Sequence, residues 1–93
     1  MYYIITYDIQ NSKRRKKLSE LLQMYGVRVN YSVFELDITK KELKEIVKNI
    51  KTNKLIKKKI DSIRFYYLPL NSIEKSFEMG NRNEPFEQNY NAI

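Results

Sequence analysis

The chain has 93 residues, with 18 Lys and Arg against 11 Asp and Glu, for a formal net charge of +7 at pH 7. One domain of this length buries only about 60–65% of the surface its unfolded chain exposes, so a second chain would add useful burial, and the charge favours nucleic acid or an anionic membrane surface as partner. Without Cys or His there can be no disulfide, thiolate nucleophile, zinc finger or histidine general base, and any metal must be a hard, oxygen-bound ion.

No apolar run approaches the roughly 18 residues of a membrane span, and Met1-Tyr2-Tyr3 lacks the basic start of a secretory signal. A cytoplasmic protein without a membrane partner is expected. The β-prone run from Tyr2 to Tyr7 is closed by Asp8, and five consecutive cations, Lys13, Arg14, Arg15, Lys16 and Lys17, open the helical pattern that follows. Cations at a helix N-terminus are disfavoured by about 0.3–1 kcal/mol each. Five in succession predict an anionic partner, such as a phosphate backbone.

Asn11 or Ser12 can cap that helix, Leu18, Leu21, Leu22 and Tyr25 fall at helical spacing, and Gly26 is the expected stop. Beyond it the apolar residues are odd-numbered (Val27, Val29, Tyr31, Val33), then even-numbered (Phe34, Leu36, Ile38). One strand keeps its apolar side chains on one face, so the switch predicts two strands with a bulge or tight turn near Tyr31–Val33. Thr39 and Glu42 have capping-box spacing, and Leu43, Ile46, Val47 and Ile50 trace the buried stripe of a second helix. Its outer face carries Lys40, Lys41, Lys44, Lys48 and Lys51, which suits either a solvated surface or a grip on phosphates.

Ser62–Leu68 alternates as a strand ended by Pro69, and apolar groups on both its faces predict a central position. Phe77 and Met79 alternate within Lys75–Met79, which reads as one more short strand. The chain then becomes Asn-rich, and weak order is expected for residues 84–93. The division is a domain over residues 1–80 and a polar tail over 81–93.

The order strand, helix, strand, strand, helix, strand is that of a ferredoxin-like βαββαβ α/β (α+β) sandwich, an antiparallel sheet with both helices on one face. Asp8 then shares a face with Ile4 and Thr6 at the carboxyl end of the first strand, either as a functional carboxylate or as a cap for the turn. One carboxylate suits Mg²⁺ poorly, but a two-fold homodimer would bring two copies of Asp8 together and cover the open sheet face. Glu35 and Asp37 are further ligand candidates, though solvent-facing strand residues are the simpler account, and Ser32 either binds phosphate or shapes the turn. The stretch Tyr31–Leu36 holds no glycine, which argues against an RNA-recognition motif. With only Gly26 and Gly80 in the chain, Gly-rich phosphate loops are excluded as well.

Three blocks resemble the CRISPR-associated Cas2 family, the small subunit of the spacer-acquisition integrase. They are Tyr7-Asp8-Ile9 with Lys13-Arg14-Arg15, then Gly26 through Glu35 with its Tyr-Ser-Val-Phe-Glu core, and Asp61-Ser62-Ile63-Arg64-Phe65-Tyr66. The resemblance covers residues 1–70 or so and implies a homodimer in which an extra C-terminal strand, Lys75–Gly80, is exchanged onto the partner's sheet. It also implies a subunit that binds double-stranded DNA and bridges the integrase catalytic subunits, with single-stranded RNA as a second substrate candidate. A Mg²⁺- or Mn²⁺-dependent endonuclease is implied too, with Asp8 as catalytic residue and metal ligand. By the same matching, Tyr7, Lys13, Arg14, Arg15, Lys16, Lys17, Arg28, Ser32 and Phe34 are the expected nucleic-acid contacts. A ribonuclease toxin or a non-catalytic nucleic-acid-binding module of this fold is the alternative.

Overall fold

The β-branched and aromatic run Tyr2–Asp8 forms strand β1, around which the sheet is assembled. The computed structural model describes residues 1–87. Strands β2 (Gly26–Asn30), β3 (Val33–Asp37) and β4 (Ser62–Leu68) complete an antiparallel sheet of order β2-β3-β1-β4. Helix α1 (Ser12–Gln23) links β1 to β2, helix α2 (Lys40–Thr52) links β3 to β4, and a short helix α3 (Leu70–Lys75) follows. Because β1 sits between β3 and β4, the two crossovers interleave, which is the expected ferredoxin-like arrangement.

Alternation along the strands decides which face is covered. Ile5 and Tyr7 of β1 lie on the side of Phe34 and Leu36 of β3, where they meet Leu18, Leu21 and Leu22 of α1 and Ile46 and Ile50 of α2. Each such side chain, once buried, contributes about 1.5–3 kcal/mol. Ile4, Thr6 and Asp8 point to the other face, as their parity requires. The parity switch in the hairpin is also real: the β2–β3 register shifts between Arg28 and Asn30, and Tyr31-Ser32 makes the turn.

Both helices are capped by residues that the sequence singles out. The Asn11 side chain accepts the Arg14 N–H at 2.9 Å, and Thr39 and Glu42 form the reciprocal capping box at 3.1 and 2.9 Å. Gly26 plays a different part from the expected one. Helix α1 ends at Gln23 with Met24 as a right-handed C-cap, and Gly26 begins β2. A Cβ on Gly26 would collide with the Glu35 carbonyl oxygen, so glycine is needed there for the close approach of β2 to β3. The left-handed cap occurs instead on α2. Lys54, at φ 52°, occupies the position usually held by glycine, with Leu55 N–H bonded to the Ile50 carbonyl at 3.0 Å.

Two expectations need correction. Strand β4 is an edge strand, not a central one, and Tyr66 and Tyr67 remain 46% and 57% exposed. Its apolar residues on both faces correctly indicate burial, but the chain's own described elements do not supply the cover. Within this chain the stretch Lys75–Met79 pairs with no strand: α3 runs through Lys75, and residues 76–79 carry no ladder pairing among the described residues. Phe77 and Met79 are 69% and 86% exposed.

Beyond Gly80 the chain returns to the sheet at Phe86. The Glu84 carboxylate accepts the Glu78 N–H at 3.1 Å, the Glu35 carboxylate accepts the Phe86 N–H at 2.7 Å, and the Phe86 ring meets Tyr2 edge-on at 5.4 Å. Of the stretch expected to be weakly ordered, Glu84 and Phe86 make these contacts, and 88–93 lie outside the described residues.

Candidate nucleic-acid and metal site

The tip of β1 is where the sequence places the chemistry. Asp8 is exposed there, opposite Ser62 in the β4 register, and its carboxylate has no hydrogen-bond or ion-pair partner among the described residues. Ser32 is brought beside it, because the Ser32 carbonyl accepts the Tyr7 N–H at 3.2 Å and so ties the hairpin turn to the end of β1. Glu35 and Asp37 are not brought there. Glu35 lies opposite Ile4, four residues before Asp8, or roughly 13 Å along the strand. Its carboxylate is occupied by the Phe86 N–H, while Asp37 pairs with the N-terminal ammonium at 3.3 Å.

The five-cation run divides. Lys13, Lys16 and Lys17 are exposed, whereas Arg14 turns inward to the Asp61 carboxylate at 2.6 Å and Arg15 donates to the Ile9 carbonyl at 2.7 Å. The Asp61 side chain is completely buried and that of Arg14 is 14% exposed. The cation run therefore meets part of its electrostatic conflict inside the fold, with an internal carboxylate as the anion. Asp61 also accepts the backbone N–H groups of Gln10 and Lys57, each at 2.9 Å. Burial alone would raise its pKa, but these two N–H groups together with the Arg14 guanidinium and the Lys57 charge hold it below the ordinary 3.8. The result is a buried clamp that joins the β1–α1 turn to the connection before β4. Nothing in the sequence assigns this role to Asp61; its only signal is its place at the head of a strand.

Tyr7 and Phe34 belong to the core. They are 6% and 0% exposed, and their rings stack at 6.3 Å. Neither is open to a ligand from solution, so both serve the packing between the sheet and the helices. The Tyr7 hydroxyl and Arg14 Nε are buried without a hydrogen-bond partner among the described residues. Arg28, by contrast, lies exposed in β2, with its guanidinium 5.5 Å from the Phe34 ring centroid and Nη2 donating to Ser19 Oγ at 2.5 Å. Packing and hydrogen bonding thus fix its charged group at the surface.

A metal site within one chain does not fit this geometry. No group of three or more Asp or Glu residues able to hold an ion occurs among the described residues, and Asp8 stands alone. Two chains would be needed to supply two carboxylates. No helix among the described residues is long and apolar enough to cross a membrane.

Fold and site together define a small, basic ferredoxin-like domain with one free carboxylate at the tip of its first strand. The family model for CRISPR associated protein Cas2 matches residues 1–76, and the chain belongs to that family. It is 46% identical over 66 residues to a CRISPR-associated endoribonuclease Cas2 of Synechocystis sp., covering 71% of this chain and 70% of that protein. It is 30% identical over 80 residues to one of Thermus thermophilus, covering 86% and 83%. Among solved structures, Cas2 of Streptococcus pyogenes superposes with a TM-score of 0.72 at 34% identity, covering 86% of this chain and all of that one. A chain of a partial Cas6-RT-Cas1–Cas2 complex superposes with a TM-score of 0.65 at 34% identity, covering 94% and 97%.

Proposed function

We propose that the protein is the small subunit of a CRISPR spacer-acquisition complex, a homodimer that holds double-stranded DNA on its lysine surfaces and bridges integrase catalytic subunits. The observation that carries this reading is the free cationic surface. Lys13, Lys16 and Lys17 on α1 and Lys40, Lys41, Lys44, Lys48 and Lys51 on α2 are all exposed, and none forms a salt bridge among the described residues. Contacts by such groups displace counterions from the duplex and read its backbone, so binding is salt-dependent and nearly indifferent to sequence. Capture of arbitrary DNA needs that indifference. The likeness to a chain of a Cas1–Cas2 complex supports an integrase partner.

The dimer is supported by two complementary surfaces. An apolar groove lined by Val47, Ile50, Ile56, Ile63 and Phe65 opens between α2 and the unpaired edge of β4. The extended segment after α3 presents Phe77 and Met79 with no cover of their own. In the dimer, this segment of one protomer pairs with the edge of the other's β4 and sets its apolar side chains toward that groove.

A nuclease activity on RNA or DNA is the second reading, favoured by the endoribonuclease names of the relatives. The paired Asp8 carboxylates of a dimer would hold Mg²⁺ or Mn²⁺, which when bound supplies charge stabilisation for a phosphodiester under attack. Asp8 itself would orient the ion.

Reversing Lys13, Lys16 and Lys17 to Glu should weaken duplex binding at least tenfold and flatten its salt dependence, by a slope of about 0.9 for each phosphate no longer neutralised. Unchanged binding by the folded variant would refute the scaffold reading. Arg14 and Arg15 are unsuitable for this test, because reversing them would break the clamp to Asp61 and the bond to Ile9. Asp8→Asn should abolish metal-dependent cleavage and leave duplex binding in place. Cleavage that persists in the purified variant would remove Asp8 from the chemistry.

A further inference from the structure

A polar recess lies on the other side of the hairpin from the sheet's open face, between α1 and β2. It has a volume of about 340 Å³ and is walled by Lys16, Ser19, Glu20 and Gln23 of α1, Arg28 of β2, and Tyr31 at the hairpin tip. The α1 residues recur every three or four positions and so form one helix face. The volume is at the lower end of the roughly 300–1,000 Å³ typical of small-ligand sites, and suits one nucleotide, not the side of a duplex.

Three features make this recess suitable for an unstacked base with its phosphate. Arg28 is held in advance by Ser19 Oγ and the Phe34 ring, so its ordering cost is already met by the fold. Lys16 adds a second exposed cation on the same wall. Tyr31 is 71% exposed, an unusual placement for a large aromatic ring, and its ring has no aromatic partner among the described residues. Its N–H donates to the Asn30 side chain at 2.8 Å, a local bond within the hairpin turn. A free aromatic face beside two cations is the arrangement by which proteins bind single strands. Glu20 and Gln23 supply the acceptors and donors that a base edge requires.

We infer that this recess binds a single-stranded nucleotide, the Tyr31 ring stacking on the base while Arg28 and Lys16 hold the adjoining phosphate. The inference rests on the nucleic-acid reading above and adds a location to it: an unpaired strand or frayed end is held between α1 and β2, on the side of the sheet away from Asp8. Stacking is tolerant of base identity, so the site discriminates by strandedness.

The test uses the full-length protein and a short single-stranded oligonucleotide carrying 2-aminopurine, whose fluorescence is quenched on stacking, alongside a blunt duplex. Tyr31→Ala should weaken single-strand binding roughly tenfold and abolish quenching, while duplex affinity stays within twofold of the parent. Tyr31→Phe should restore both signals, because only the ring is required. Arg28→Gln should weaken single-strand binding with or without the ring. If Tyr31→Ala leaves single-strand affinity and quenching unchanged while the duplex still binds, the recess is not a nucleotide site, and the scaffold reading survives without it. If the parent protein binds neither probe, both readings fail.

Discussion

Asp61 shows how a single buried residue can organise a turn from beneath. Its carboxylate holds Gln10 N–H, Lys57 N–H and the Arg14 guanidinium at once, and so fixes the turn that follows Asp8. Because its pKa is lowered in the folded state, its contribution to stability is complete above the unfolded-chain value of about 4 and is lost as the pH falls through the lower folded value. Asp61→Asn should therefore lower the melting temperature at neutral pH and make stability less dependent on pH in the acid range, as thermal melts at several pH values would reveal. Equal acid sensitivity in parent and variant would show that the clamp's charge does not matter. The same residue marks a limit of sequence reading. A run of five cations at a helix start is visible in the sequence, but which of them finds an internal anion depends on a residue 47 positions away from Arg14.

At the scale of elements, the sequence is legible where the cause is local. The capping box at Thr39, the Asn11 cap and the parity switch before Val33 each involve neighbours a few residues apart, and each appears in the fold. Gly26 and β4 depart from expectation because their explanation is tertiary: the first is required by the nearness of the Glu35 carbonyl, the second lies at an edge that other described elements leave uncovered. The end of α2 carries a cost of its own, since Lys54 adopts a left-handed conformation without being glycine. Such a conformation costs an ordinary residue about 1–2 kcal/mol, partly offset by glycine's greater freedom in the unfolded chain. Lys54→Gly should raise stability by about 0.5–1 kcal/mol, or a few degrees in melting temperature. A denaturation midpoint that falls in the variant would show that the lysine side chain makes a compensating interaction.

For the molecule as a whole, much apolar surface remains outside the core. Phe77, Met79, Tyr66 and Tyr67 are all exposed, which is more than a chain of this size ordinarily leaves uncovered without a partner. In the proposed dimer, replacing Phe77 and Met79 together by Ser should shift the association toward monomer in sedimentation equilibrium, without much change in the far-ultraviolet circular dichroism of the fold. A variant that remains fully dimeric would move the interface elsewhere. Duplex affinity should fall with dissociation, since one protomer carries half the lysines. The ferredoxin-like order of elements and the position of Asp8 are legible from patterning and from the resemblance of three blocks. The inward turn of Arg14, the burial of Tyr7 and Phe34 and the recess at Tyr31 are not, because side-chain direction at a crowded junction is settled by packing between distant segments.

The contact between Phe86 and Tyr2 has a practical consequence. It returns the polypeptide, after a full circuit of the sheet, to within one ring contact of its start, at the opposite end of β1 from Asp8. Fluorophores attached near Met1 and near Phe86 would thus sit at one corner, clear of the acidic tip, and a short peptide graft could join these two positions into a permuted chain without rerouting any strand.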